Sequence, residues 1–172
     1  MMYAPAPDTF LLAECTSKYR GAWALEIGVG SGAVTEELAA NFQNVAGTDI
    51  DLASLAYCRS RNRKPMLVCC DAASALSNVR FDLVVANPPY LPDDIKKDAT
   101  VHGGSTGVET TIHFIESALP LLSRQGAMLV VVSSRSDQSA LDAFLAEKGL
   151  KKKVVKEKRL FFERLSVLEL TF

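Results

Sequence analysis

Surplus charge of either sign is missing from this chain: 19 lysines and arginines face 20 aspartates and glutamates, a net charge of −1. A dedicated duplex-DNA binder carries a large cationic excess, because phosphate contacts supply most non-specific affinity, so composition disfavours that class. Long apolar runs are also missing. The longest, Ala127 to Val132, falls far short of the roughly 20 residues that a helix needs to span a bilayer. The first cation is Lys18, so no basic start precedes an apolar stretch and no secretory leader is expected. Histidine is scarce, with only His102 and His113. The four cysteines, Cys15, Cys58, Cys69 and Cys70, form no C-x-x-C pair. Cys69 and Cys70 are adjacent, and strand neighbours point to opposite faces, so they cannot grip one metal together. No metal site is expected; buried thiols in a reducing compartment are.

What is present is globular. Hydrophobic residues make up 48% of the chain and charged residues 23%. A length of 172 residues suits one domain, 1–172. Short apolar runs alternate with helical stripes, which implies an α/β fold with a mostly parallel sheet and helices on both faces. Strands are expected at Trp23–Ile27, Asn44–Asp49, Met66–Cys70, Phe81–Ala86 and Ala127–Ser133. Val34 and Leu38 mark one helix. Asp51 caps a second, which Pro65 should end. Ile112, Ile115, Leu119 and Leu122 form one face of a helix over Thr110–Leu122, and Leu141, Phe144 and Leu145 mark another that Gly149 closes. Lys152–Lys158 and Leu165–Phe172 have no helix between them and should pair antiparallel at a sheet edge. Met1 to Asp8 reads as a proline-rich lead-in, and Leu91 to Gly107 as the longest unpatterned loop.

Chemistry concentrates in three places. Glu26-Ile27-Gly28-Val29-Gly30-Ser31-Gly32 follows the first strand and opens a helix, and its glycines let a ligand approach the backbone. The third glycine comes one residue early for the dinucleotide pattern. Asp49 ends the second strand, where a carboxylate can accept hydrogen bonds from ribose hydroxyls. Asp71 ends the third, where an acid can accept from an adenine amine. Glu26 would repel a pyrophosphate but favour a sulfonium and an α-amino group. Together they point to an adenosine ligand bearing positive charge.

The third place is Asn87-Pro88-Pro89-Tyr90, directly after the fourth strand. Two prolines stiffen the backbone and remove two donors. The Asn87 side-chain oxygen and the Pro88 carbonyl remain as fixed acceptors, which can hold both hydrogens of a planar NH2 group. Tyr90 offers a flat face for stacking.

This combination resembles the class I S-adenosylmethionine-dependent methyltransferases that modify amino groups. The start, Tyr3-Ala4-Pro5-Ala6-Pro7-Asp8-Thr9-Phe10-Leu11-Leu12, and the end, Glu163-Arg164-Leu165-Ser166-Val167-Leu168, are similar to those of the eukaryotic and archaeal HemK-type glutamine methyltransferases. Pro7 stands where that family usually has glutamate. His102-Gly103-Gly104-Ser105-Thr106-Gly107 keeps the glycines of its Gly-Gly-x-x-Gly loop without the usual flanking residues. The resemblance implies a Rossmann-like, seven-stranded sheet with an antiparallel last strand, and S-adenosyl-L-methionine as cofactor. It implies N5-methylation of the glutamine in the Gly-Gly-Gln motif of a class I translation termination factor in the cytoplasm, or also the nucleus. It further implies a heterodimer with a small zinc-binding activator subunit. Carried over by position, Thr9, Glu26, Gly28, Gly30, Asp49, Asp71, Ala72 and Asn87 would bind the cofactor. Asn87, Pro88 and Tyr90 would hold the target amide.

Other readings share parts of this pattern. N6-methylation of adenine in DNA or RNA uses the same four-residue motif, and methylation of protein lysine is a further alternative. A nicotinamide dehydrogenase shares the glycine loop and Asp49 but has no use for Asn-Pro-Pro-Tyr. An assembly subunit without catalysis would not need Glu26, Asp49, Asp71 and Asn87 together. His113 falls in a helical stripe and reads as structural, while His102 lies in the loop after the motif. The basic run Lys151, Lys152, Lys153, Lys156, Lys158 and Arg159 reads as a solvated edge strand protected from sheet-to-sheet pairing; its alternative is contact with RNA or an acidic partner.

Overall fold

The computed structural model describes residues 5–93 and 102–172. Tyr3 and Ala4 of the opening motif, and residues 94–101 of the long loop, lie outside the described residues. The chain runs α1 (Pro7–Thr16), β1 (Gly21–Ile27), α2 (Ala33–Asn41), β2 (Phe42–Asp49), α3 (Leu52–Arg61), β3 (Met66–Cys69), β4 (Phe81–Ala86), α4 (Glu109–Ala118), a 3-10 turn (Leu119–Leu121), β5 (Leu122–Ser133), α5 (Gln138–Glu147), β6 (Lys151–Arg159) and β7 (Arg164–Thr171).

The strands form one sheet in the order β3-β2-β1-β4-β5-β7-β6. Pairings from β3 across to β5 are parallel, whereas β7 is antiparallel to both β5 and β6. The chain builds outward from β1 in one direction, then returns to lay β4 on its other side. That reversal leaves a crevice beyond the carboxyl ends of β1 and β4, where open α/β sheets bind ligands.

Two apolar layers hold the helices to the sheet. Leu11, Leu12 and Cys15 of α1 and Val34 and Leu38 of α2 pack with Ala24, Val45, Val85, Leu129 and Val131. On the opposite face, Ile115 of α4 and Leu141 and Leu145 of α5 pack with Leu25, Ile27, Val84, Met128 and Val130. Each fully buried aliphatic side chain contributes about 1.5–3 kcal/mol relative to an exposed one. No helix among the described residues is long and apolar enough to cross a membrane.

Four local expectations need correction. The lead-in gives way to helix at Pro7; proline suits the first helical position, where its missing N–H is no loss. The helix after Asp51 ends at Arg61, not at Pro65, because Asn62 turns to extended backbone (φ −141°, ψ 123°). The helix expected over Thr110–Leu122 stops at Ala118. Pro120 there would lose a backbone donor and crowd the preceding turn, so a 3-10 turn takes over and Leu122 opens β5. Consequently β5 starts before Ala127, and its polar stretch is absorbed in a register shift against Phe81 and Leu83 of β4.

Candidate active site

The carboxyl ends of β1, β2, β3 and β4 open into one cleft of about 610 Å3. Thr9, Glu26, Gly28, Gly30, Asp49, Asp71, Ala72, Asn87, Pro88 and Tyr90 all line it. They come from α1 and four strand ends spread over about the first half of the chain, and the parallel topology collects them on one rim.

The glycine loop leaves β1 with positive φ at Gly28 (78°), Gly30 (49°) and Gly32 (79°), the last capping α2. That backbone is accessible to glycine at little cost. The loop is tied to β2, since the N–H groups of Gly28 and Val29 donate to the Thr48 carbonyl at 2.8 and 3.0 Å. Asp49 lies beside it. Its Oδ2 accepts from Gly30 N–H at 2.8 Å and its Oδ1 from Asp51 N–H at 2.8 Å. Two backbone donors therefore fix the carboxylate, and each oxygen keeps acceptor capacity facing the cleft.

Glu26 is 3% exposed and accepts a hydrogen bond from the Thr35 hydroxyl of α2. Burial pushes its carboxyl up to about 8, against the opposing effect of the Thr35 bonds and with a small addition from Asp49. A buried carboxyl of this kind holds its proton at neutral pH until a cation arrives beside it.

Asp71 follows β3 and faces α4, where His113 Nε2 lies 3.0 Å from both carboxylate oxygens. His113 therefore lines the cleft beside Asp71. Ala72 adopts a positive φ of 45°. Ala73 N–H donates to Ser117 Oγ of α4 at 2.8 Å, which docks this turn on the helix. Phe114, next to His113, forms the wall opposite Gly28, where an added Cβ would stand 3.5 Å from its ring.

Asn87 sits at the tip of β4, and its Oδ1 is buried without a hydrogen-bond partner among the described residues. Pro88 behind it is buried, while Tyr90 is half-buried. The Tyr90 hydroxyl donates to Asp8 Oδ2 at 2.9 Å. Asp8 is itself buried and accepts from Thr9 N–H at 2.7 Å. The first turn of α1 thus fixes the ring that walls the Asn87 acceptor. On the other side, Gly103 packs on the same corner: a Cβ there would stand 2.2 Å from the Pro89 carbonyl oxygen. His102 bridges to Leu91 and lines the cleft.

Asp8 and Phe114 carried no role in the sequence reading. Asp8 was visible in the opening motif beside Thr9, but its partner is 82 positions away. Among the described residues, no group of three or more His, Cys, Asp or Glu side chains is placed to hold a metal ion.

This seven-stranded sheet is that of the class I methyltransferases. The methyltransferase small domain family matches residues 7–162, and the chain belongs to it. A Methanocaldococcus jannaschii protein assigned as a protein N5-glutamine methyltransferase is 27% identical, over 97% of this chain and 90% of its own length. A Pedobacter heparinus tRNA1(Val) (adenine(37)-N6)-methyltransferase is 29% identical, over 78% of this chain and 62% of its own length. Among solved structures, that of the E. cuniculi Mtq2-Trm112 complex, responsible for methylation of the eRF1 translation termination factor, superposes with a TM-score of 0.81. It is 25% identical, covering 99% of this chain and 98% of that one. The chain is a methyltransferase, and the methyl donor of this class is S-adenosyl-L-methionine.

Proposed function

We propose that this chain transfers a methyl group to the side-chain nitrogen of a glutamine, that of the Gly-Gly-Gln motif in a class I translation termination factor. One observation carries the reading. Asn87 Oδ1 is a buried acceptor with no partner among the described residues, and an unsatisfied buried acceptor costs about 1–3 kcal/mol. A carboxamide NH2 donates two coplanar hydrogens. One satisfies Asn87 Oδ1 and the other the Pro88 carbonyl, with the amide plane against Tyr90. The M. jannaschii relative supports a glutamine acceptor, and the E. cuniculi relative supports a termination factor as the protein that carries it.

The donor set fits S-adenosyl-L-methionine. Asp49 accepts from the ribose hydroxyls, Asp71 from the adenine amine beside the Ala72 backbone, and Glu26 meets the positive methionine end. Thr9, Gly28 and Gly30 line the path between. When bound, this cofactor supplies an electrophilic methyl carbon on a sulfonium. Asn87 and Pro88 hold the acceptor nitrogen in line with that carbon. Alignment of this kind lowers barriers by roughly 7–11 kcal/mol. By drawing on the two N–H bonds, the same acceptors stabilise the positive charge that develops on nitrogen. The extra proton departs to water.

A small zinc-binding activator subunit is the proposed partner, in a heterodimer. Among the described residues β3 pairs with β2 alone, and Met66 is 45% exposed, so its outer edge offers backbone groups for strand addition. The E. cuniculi relative is a complex with Trm112. The cytoplasm, where termination factors work, is the proposed compartment. Adenine N6-methylation is the second reading, favoured by the P. heparinus relative; an adenine amine satisfies the same two acceptors.

The deciding experiment incubates the chain, alone and co-expressed with the activator, with S-adenosyl-L-methionine and either termination factor or tRNA. A mass gain of one methyl group on the Gly-Gly-Gln peptide is expected. Methylation of the RNA alone would replace this reading with the second.

A further inference from the structure

The β6–β7 hairpin ends in two phenylalanines that the site described above does not use. Phe161 is 93% exposed and Phe162 83%, the two highest exposures among the large hydrophobic residues described. Their rings meet edge to face, with centroids 4.7 Å apart. The hairpin is closed by Leu160 N–H donating to the Glu163 carbonyl at 2.8 Å, and Leu160 packs into the apolar layer that also holds Tyr90. Exposed aromatic pairs of this size mark interaction surfaces.

The tip lies at the same edge of the sheet as the active rim. Since β7 runs opposite to β5, its first residues sit beside the carboxyl end of β5, with Leu165 opposite Ser133. Ser133 Oγ donates to Glu163. Ser134 N–H donates to the Arg164 carbonyl at 2.9 Å, and Arg164 N–H to Ser134 Oγ at 3.0 Å. From there, Asp137 N–H reaches the Thr106 carbonyl at 3.0 Å, in the loop whose Gly103 packs on the Pro89 carbonyl. A chain of hydrogen bonds and backbone contacts therefore links the Asn87 corner to the hairpin that carries the phenylalanines.

Charge specifies the occupant. Within the basic run of β6, Lys152 pairs with Asp142, Lys156 with Glu14 and Lys153 with Glu169. Lys158 and Arg159, next to the tip, form no ion pair among the described residues, and neither does Arg135, whose N–H donates to the Ser133 Oγ that holds Glu163. Of the cations flanking the tip, Arg164 is neutralised by Glu157 at 3.2 Å, while Lys158 and Arg159 are left for a partner.

We infer that the Phe161–Phe162 tip, flanked along the chain by Lys158 and Arg159, docks the methyl-acceptor protein through an acidic surface bearing an apolar hollow, at a distance from the acceptor side chain. This rests on the protein-acceptor reading above. An RNA occupant is disfavoured by the small number of free cations and by a net charge of −1.

The test compares wild type with the double variant Phe161→Ser/Phe162→Ser, and with Arg159→Glu, on full-length termination factor and on a short Gly-Gly-Gln peptide. For the double variant, KM for the full-length factor should rise about tenfold or more, with kcat and the peptide kinetics unchanged. Arg159→Glu should raise the same KM in the same direction. Equal KM in variant and wild type, or parallel losses on peptide and factor, would overturn the docking role while leaving the glutamine reading intact. A loss confined to tRNA binding would assign the tip to RNA and overturn it as well. Wild type that methylates neither factor nor peptide would overturn the acceptor assignment, and this inference with it.

Discussion

Asn87 and Asp49 stand on one rim, on either side of β1, but answer to different steps. Asn87 offers the buried acceptor without a partner among the described residues. Asn87→Ala should therefore lower kcat about 100-fold or more, as the loss of an aligned polar contact to developing charge does. Cofactor binding should persist at reduced strength, measured by titration calorimetry beside a methyl-transfer assay. Near-normal turnover would remove Asn87 from the reaction. Asp49, fixed by Gly30 and Asp51 N–H groups, should act on binding. Asp49→Ala is expected to weaken cofactor affinity by about 10- to 100-fold, since hydrogen bonds to a charged group are worth about 1.5–3 kcal/mol. An unchanged dissociation constant would refute the ribose assignment.

At the scale of elements, the Asn-Pro-Pro-Tyr corner is held from two sides. The first turn of α1 supplies Asp8 to the Tyr90 hydroxyl at 2.9 Å. The loop before α4 supplies Gly103, with its backbone against Pro89. A methyl group at Gly103 would have to displace backbone, not a flexible side-chain end, so Gly103→Ala should cost about 1–3 kcal/mol of stability. It should also reduce turnover more than cofactor affinity, because the corner moves and the glycine loop does not. Differential scanning calorimetry with parallel kinetics would check both. If the melting temperature were unchanged, the close approach at Pro89 would not constrain the corner.

For the molecule as a whole, Glu26 couples the cleft to folding. Its carboxyl is pushed from 4.5 to about 8 by burial, so the folded chain binds this proton more tightly than the unfolded chain does. Between those values the folded state carries more protons, and stability falls as pH rises through that window. Glu26→Gln removes this dependence. The free variant should melt higher than wild type at pH 8 and lose that advantage below about pH 4.5, where both states of wild type are protonated. Cofactor affinity should fall in the same variant, because a neutral amide does not attract a cation. Thermal melts over pH, with and without cofactor, separate the two effects. A variant no more stable than wild type at pH 8 would show that Glu26 is not carried as a buried acid.

The sequence alone determined the alternation of strands and helices, because a period of two or 3.6 is written in the order of apolar residues. It also singled out the Glu26 loop, Asp49, Asp71 and Asn87-Pro88-Pro89-Tyr90 as residues at strand ends, because each is a short run next to an apolar strand, and all of them line the cleft. Tertiary structure decided what depends on distant partners. Pro7 opens a helix because Leu11, Leu12 and Cys15 have a layer to enter, and the helix before Pro120 stops where β5 must begin. Asp8 reaches Tyr90, His113 meets Asp71, and the end of the basic run arrives beside the active rim. None of these can be read locally, because each contact joins segments that only a parallel sheet with one reversed strand brings to the same edge.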